Sequence, residues 1–196
     1  MSAVPMEDLP RRHRITVQEY YRMAEVGLLA PDARVELIDG EIIDMAPIGP
    51  PHGGTVMMLD QMLQRVVGDR AMILCQGSIV LGKYSQPQPD LGILRPRADY
   101  YRTGHASAAE TLLLIEVSDT TWRYDRYKKV PFYAREGIPE LWIVDLPRST
   151  LHFFRGLSGG RYTDESSTKS PGVVSLPGLP GASIELSALF EVSSDS

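Results

Sequence analysis

The chain has 196 residues, 43% of them hydrophobic, and a formal net charge of −5 at pH 7. This length allows one well-buried core and is short for two, so the sequence predicts a single domain. The negative charge gives no general attraction to phosphate backbones, which argues against a strong non-specific nucleic-acid binder. The sequence contains no run of about 18 apolar residues and no apolar signal core near position 1. We therefore expect a cytoplasmic protein without a membrane span.

Polar, proline-containing sequence at the start of the chain predicts a flexible arm over residues 1–14. We expect one domain over residues 15–190 and a disordered tail over residues 191–196. The single cysteine, Cys75, follows three apolar residues. It has no second cysteine with which to form an internal disulfide, and the pattern favours a buried, inert thiol.

A helix followed by a hairpin is predicted in the first quarter of the domain. Thr16 and Glu19 have the spacing of a capping box, which predicts a helix over residues 17–26. Asp39-Gly40 separates two strand-like runs and supplies the positive φ angles of a tight turn. Glu36 alternates with apolar neighbours on the first run, so that the pattern by itself favours a solvated side chain.

A second helix is predicted over residues 55–67, after three prolines between positions 47 and 51 that interrupt the chain. His52 lies in the predicted loop before it, where a single histidine is more often structural or solvated than part of a site. Residues 71–83 have a strand pattern broken by two glycines, which are typical of a bulge or a bend.

The stretch from Leu112 to Thr121 organises the chain, because a buried strand ends there on polar side chains. Strand residues two apart share a face, so Glu116 and Ser118 are expected to point the same way. Asp90 follows Pro89, which disfavours a helix and predicts that Asp90 opens another apolar strand. The sequence thus predicts two carboxylates at the ends of buried strands.

A helix and further strands complete the predicted domain. The segment 125–136 is helical in character, although Pro131 requires a kink or a helix start close to it. Residues 140–145 read as a buried strand and residues 150–155 as its hairpin partner. Strands, then a helix, then a strand indicate an α/β or α+β fold with a mixed sheet.

Two buried carboxylates are costly unless a positive group pairs with them, and a hard divalent cation is one solution. Mg²⁺ binds a few carboxylate oxygens and leaves positions for substrate phosphate oxygens. Asp90 and Glu116 are then the candidate ligands, with the carbonyl of Val117 as a third, and Lys129 is placed to offset negative charge. The alternative is that these residues have only structural roles. Asp90 and Glu116 would then be ordinary carboxylates at strand ends, and Asp125 and Lys129 would form an ion pair on one helix face.

Five sequence blocks occur together in a fixed order. They are Glu-Leu-Ile-Asp-Gly-Glu at 36–41, Pro-Asp-Leu at 89–91, Leu-Ile-Glu-Val-Ser at 114–118, Asp125 with Lys129 and Tyr133, and Gly-Ile-Pro-Glu-Leu-Trp-Ile-Val-Asp at 137–145. In this order they resemble a large bacterial family of restriction-endonuclease-like proteins called Uma-two, within the PD-(D/E)XK nuclease superfamily. The resemblance covers about residues 15–190.

The resemblance implies a restriction-endonuclease-like core, in which helices flank a mixed sheet. Asp90 matches the aspartate of the superfamily motif and Glu116 its second acid. The motif lysine falls on Ser118, which is a departure, and Lys129 from the following helix is the matching residue. Glu36 matches a further acidic position associated with metal binding.

The sequence and the resemblance together predict a Mg²⁺-dependent endonuclease acting on DNA, with Mn²⁺ able to substitute. Asp90, Glu116 and Lys129 are the predicted catalytic residues, Asp90, Glu116 and Glu36 the predicted metal ligands, and the loop 95–102 a candidate contact to the DNA backbone. A homodimer is compatible with cutting both strands. Two alternatives stay open: a catalytically inactive relative acting as a DNA-binding or regulatory module, and a two-carboxylate hydrolase of another kind, for example on glycosides.

Overall fold

The computed structural model of this protein describes residues 12–191. Most of the predicted arm, residues 1–11, and all but the first residue of the predicted tail lie outside the described residues, and the domain boundaries stay a prediction. Helices are α1 Val17–Glu25, α2 Pro50–Val67, α3 Trp122–Tyr124 and α4 Val130–Arg135, the last two joined by a π-helical turn, Asp125–Lys129. Strands are β1 Val35–Ile38, β2 Glu41–Asp44, β3 Met72–Cys75, β4 Leu91–Leu94, β5 Thr111–Ser118, β6 Leu141–Asp145, β7 Thr150–Ser158, β8 Arg161–Thr168, β9 Val173–Ser175 and β10 Ser183–Glu185.

A six-stranded mixed sheet forms the centre of the fold, in the order β3-β4-β5-β6-β7-β8. β5 and β6 are parallel, and every other neighbouring pair in this sheet is antiparallel. A parallel pair requires a crossover connection, which residues 122–135 provide; we call them the crossover segment. The predicted α/β fold with a mixed sheet is confirmed.

The two faces of β5 bury different sets of side chains because its residues alternate. Leu113, Ile115 and Val117 pack on the side of α2, which contributes its own buried stripe. Leu114 points to the opposite face, where it packs with apolar residues of the crossover segment. Glu116 is on this second face, so its carboxyl group enters the layer between the sheet and the crossover segment.

β1 and β2 form the antiparallel hairpin that the Asp39-Gly40 pair predicted, and this hairpin is a two-stranded sheet separate from the central one. Asp39 and Gly40 have φ angles of 54° and 80°, which suit a tight turn between antiparallel strands. A backbone bridge joins Leu37 to Gln86, and the Arg135 guanidinium donates to both carboxylate oxygens of Asp39, at 2.7 and 2.9 Å. The hairpin is therefore attached to the end of the crossover segment.

Four predicted features differ from the structure. α2 begins at Pro50 rather than at residue 55, since a proline at the first helical position lacks only an N–H that has no intrahelical partner. The strand expected over residues 71–83 is limited to β3, and Cys75 at its end is exposed rather than buried. β8 was missed because its polar sequence shows no apolar alternation. Among the described residues, no helix combines the length and the apolar character needed to cross a membrane.

The central strand should dominate stability. Leu113 on β5 is 0% exposed, whereas Leu28 is 71% exposed. We expect Leu113→Ala to lower the free energy of unfolding by about 2–5 kcal/mol, because it removes buried methyl groups and leaves a cavity. Leu28→Ala, the matched control, should change it by less than about 0.5 kcal/mol. Urea denaturation measures both, and equal effects would contradict the packing described here.

Candidate functional site

A cleft of about 530 Å³ opens where the start of β4, the end of β5, the hairpin and the crossover segment meet. β4 runs antiparallel to β5, so Asp90, just before β4, lies beside the end of β5 that carries Glu116. The two carboxylates that were predicted from strand ends are thus at the same edge of the sheet. Polar residues lining the cleft are Arg34, Glu36, Asp44, His52, Gln88, Asp90, Glu116, Asp119, Thr120, Thr121, Tyr124, Asp125 and Lys129.

Lys129 joins two buried glutamates from distant parts of the chain. Its Nζ lies 3.1 Å from Glu116 Oε1 and 3.3 Å from Glu36 Oε1, and its side chain is 7% exposed. The Tyr133 hydroxyl donates to the same Glu116 oxygen at 2.7 Å. The Gln88 backbone N–H donates to Glu36 Oε2 at 3.2 Å. The solvated position that alternation favoured for Glu36 is therefore wrong, since the hairpin turns this side chain inward.

Asp90 is held on both sides. Its Oδ2 accepts a hydrogen bond from the Val117 N–H at 2.8 Å, and its Oδ1 lies 2.8 Å from His52 Nε2. The sequence analysis gave the carbonyl of Val117 as a candidate metal ligand. In the structure, it is the backbone N–H of Val117 that contacts Asp90. His52 belongs to the first turn of α2. Sequence reasoning gave a part in the site as the less favoured role for His52, because the helix was expected to begin only at residue 55.

The π-helical turn determines how the crossover segment presents its polar residues. The Val130 N–H donates to the Asp125 carbonyl, five residues earlier. Pro131 has no N–H for the carbonyl of Tyr127, and its ring would clash there in a regular α-helix; the wider turn relieves that clash. Asp125 and Lys129 are both buried, but Lys129 is bound to the glutamates, whereas Asp125 accepts a hydrogen bond from the Thr121 hydroxyl.

The acidic side chains around Lys129 carry more negative charge than its ammonium can balance. Burial raises the pKa of Glu116 to about 8; the charges of Asp90, Asp125 and Glu36 act in the same direction, and Lys129 opposes them. Burial alone would lower the pKa of Lys129, but the charges of Glu116 and Glu36 outweigh it and keep the ammonium protonated. A carboxyl group with a pKa of about 8 keeps its proton at neutral pH. Because the carboxylates interact closely, we assign this proton to the cluster of Glu36, Asp90, Glu116 and Asp125 as a whole.

The donor set fits a hard divalent cation. Several carboxylates surround one ammonium, and an added cation would offset their excess charge. Within residues 12–191, no three His, Cys, Asp or Glu side chains are arranged as a ready-made ligand cluster, and the Lys129 ammonium lies between two of the acids. This arrangement suits an ion that binds one or two carboxylates, keeps its waters and completes its shell with substrate phosphate.

Ser118, to which the sequence resemblance assigned the position of the motif lysine, is fully buried, with its hydroxyl 3.4 Å from that of Thr121. The loop 95–102 follows the other end of β4, at the sheet edge opposite Asp90. Arg97 of this loop is bound to Asp99 and Glu110. The loop therefore does not line the cleft, and we do not assign it to the site.

Comparison with known proteins identifies the family. The sequence model of Uma2, described as "Putative restriction endonuclease", matches residues 17–187. The chain belongs to the Uma2 family. No curated protein matches this chain.

This Uma2 protein shares its fold with a protein of known structure. It is a "putative nuclease belonging to DUF820" from Anabaena variabilis, with a TM-score of 0.69 and 17% sequence identity. The superposition covers 90% of this chain and 97% of the other chain. At this identity the comparison establishes the fold alone, and that fold is a mixed sheet flanked by helices, as the sequence resemblance implied.

The buried ammonium should be required for stability as well as for charge balance. Lys129→Met leaves Glu36 and Glu116 without their cation, and we expect a loss of about 3–5 kcal/mol in the free energy of unfolding. Lys128→Met, one residue away and exposed, should change it by less than about 0.5 kcal/mol. Urea denaturation of both variants in metal-free buffer provides the test. A Lys129 variant as stable as the control would show that the ion pairs do not hold the site together.

Proposed function

We propose that this protein is a divalent-metal-dependent endonuclease that hydrolyses phosphodiester bonds of DNA. The observation that carries the proposal is the meeting of Glu36, Glu116 and Lys129 beside Asp90 in one cleft, within a chain of the Uma2 family. Residues from distant parts of the sequence converge there. Hydrophobic packing alone gives no reason for so many buried charges.

Asp90, Glu116 and Glu36 are the residues we propose to hold the ion, Mg²⁺ or Mn²⁺. Such an ion, when bound, polarises the phosphoryl group and lowers the pKa of a coordinated water. The Lys129 ammonium is placed to offset the charge that develops on phosphate during in-line attack by water. Tyr133 and the Val117 N–H orient the carboxylates, since each donates a hydrogen bond to one of them.

DNA is the proposed partner, and the reducing cytoplasm is the proposed location. Arg34 lines the mouth of the cleft and is exposed, so it is a candidate for a phosphate contact. The overall charge of −5 predicts weak binding away from the cleft. Cutting both strands requires two sites, and we propose that a homodimer with two-fold symmetry supplies them.

Cleavage of plasmid DNA tests the mechanism. Wild type should nick or linearise the plasmid with Mg²⁺ or Mn²⁺ and not with EDTA. Asp90→Ala and Glu116→Gln should each lower the rate by about 100-fold or more, since a lost ligand removes stabilisation of the transition state. Asp164→Ala, on the exposed face of β8, is the matched control and should cleave at the wild-type rate. Activity that survives both site substitutions would rule out this mechanism.

A catalytically inactive DNA-binding or regulatory protein is the second candidate. Two observations favour it: Ser118 occupies the motif-lysine position, and both Asp90 oxygens are already engaged. Calorimetric titration of metal-free protein with Mn²⁺ distinguishes the two. The nuclease should bind Mn²⁺, and Glu116→Gln should weaken that binding by about 10-fold or more. If Mn²⁺ does not bind, or if it binds equally well to the Glu116→Gln variant, the result would support a catalytically inactive protein.

A further inference from the structure

We propose that His52 is a nitrogen ligand of the ion held at Asp90, and that the site therefore selects a first-row transition-metal ion over Mg²⁺. This inference rests on the proposed metal-dependent function and makes it more specific. It concerns a side chain to which the sequence motifs assigned no role. The reasons are the spacing of two atoms, the rigidity of the element that carries His52, and the chemistry of imidazole.

His52 Nε2 and Asp90 Oδ1 are 2.8 Å apart, and both side chains are partly buried at the cleft. This distance suits a hydrogen bond. It also suits two ligands of one ion: neighbouring corners of an octahedron with bonds of about 2.1 Å are about 3.0 Å apart. An ion can therefore replace the proton that His52 Nε2 and Asp90 Oδ1 share, without a large movement of either side chain. The displaced proton goes to solvent.

His52 is held by the first turn of an 18-residue helix. Pro50 begins this helix, and its buried stripe anchors it against the sheet on the side of Ile115 and Val117. A ligand on a packed helix keeps its position better than one on a loop. Of the charged groups that face the imidazole, Asp90 and Asp119 favour a cation and Arg34 opposes it.

The two sides of the cleft thus offer different donors. Glu36 and Glu116 provide oxygen atoms only and share one ammonium. The pair of His52 and Asp90 provides one nitrogen and one oxygen. Mg²⁺ prefers oxygen ligands, whereas imidazole suits later metals, and affinity for a mixed site rises from Mn²⁺ towards Ni²⁺. An ion bound at this pair should consequently be a transition metal.

The alternative role for His52 is that of a positioning residue, which only donates a hydrogen bond to Asp90. His52→Gln separates the two roles, because the glutamine amide can donate to Asp90 but supplies no imidazole nitrogen. Loss of a positioning residue would weaken the binding of Mg²⁺ and of Mn²⁺ equally. Loss of a ligand would weaken mainly the binding of Mn²⁺.

The experiment uses full-length, metal-free protein and titrates it calorimetrically with Mg²⁺ and with Mn²⁺. We expect wild type to prefer Mn²⁺, and both His52→Ala and His52→Gln to weaken Mn²⁺ binding by about 10- to 100-fold. Mg²⁺ binding should change by less than about threefold, since His52 would contribute little to an all-oxygen shell. His105→Ala, which removes an exposed histidine lining a different cavity, is the matched control.

Pulsed electron paramagnetic resonance of the Mn²⁺-loaded protein provides a readout independent of activity, and the wild-type signal does not depend on how the His52 variants fold. Wild type and the His105 variant should show modulation from a directly bound ¹⁴N nucleus, and both His52 variants should lack it. Mn²⁺ binding without this signal, or equal losses of Mg²⁺ and Mn²⁺ affinity, would overturn the ligand role and leave the proposed nuclease intact. Absence of binding by either ion would overturn both.

Discussion

The bridge from Lys129 to Glu36 and Glu116 is the interaction on which the arrangement of this protein depends. Burying three charged side chains is costly, and their mutual attraction offsets that cost only when the geometry is maintained. The bridge joins the hairpin, the central strand and the crossover segment, which are separate elements of the fold. Their relative positions are therefore constrained by charge as well as by apolar packing.

The same bridge explains why the cleft is compatible with an ion without being a finished metal site. In the absence of a cation, one ammonium and a shared proton balance part of the negative charge. A divalent ion at Asp90 and Glu116 would take over part of that task, and Lys129 would then be available to substrate phosphate.

Sequence reasoning reached the parts of the structure that local rules determine. Asp39 and Gly40 require positive φ angles, so the hairpin was predictable, and strand alternation placed Glu116 on the correct face of β5. Alternation alone misplaced Glu36, because the inward side of a two-stranded hairpin is decided by what it docks against. The resemblance to the family, rather than the pattern, pointed to that residue.

The other errors concern the start of a helix and a strand of polar residues. Prolines at positions 50 and 51 read as breaks, yet at the first turn of a helix they remove N–H groups that have no intrahelical partner. That single misreading moved His52 from a helix to a loop and concealed its contact with Asp90. Likewise, the polar strand β8 pairs with β7 through its backbone, which its side-chain pattern does not reveal.

The hairpin that carries Glu36 is its own small sheet rather than part of the six-stranded one. Proteins open in local units whose free energies are below that of global unfolding, and such a docked hairpin is a natural unit of this kind. On warming, detachment of the hairpin would carry one acid away from the cleft while the central sheet stayed intact. Any activity that depends on Glu36 should then be lost before secondary structure, at temperatures below those at which the melting curve shows unfolding.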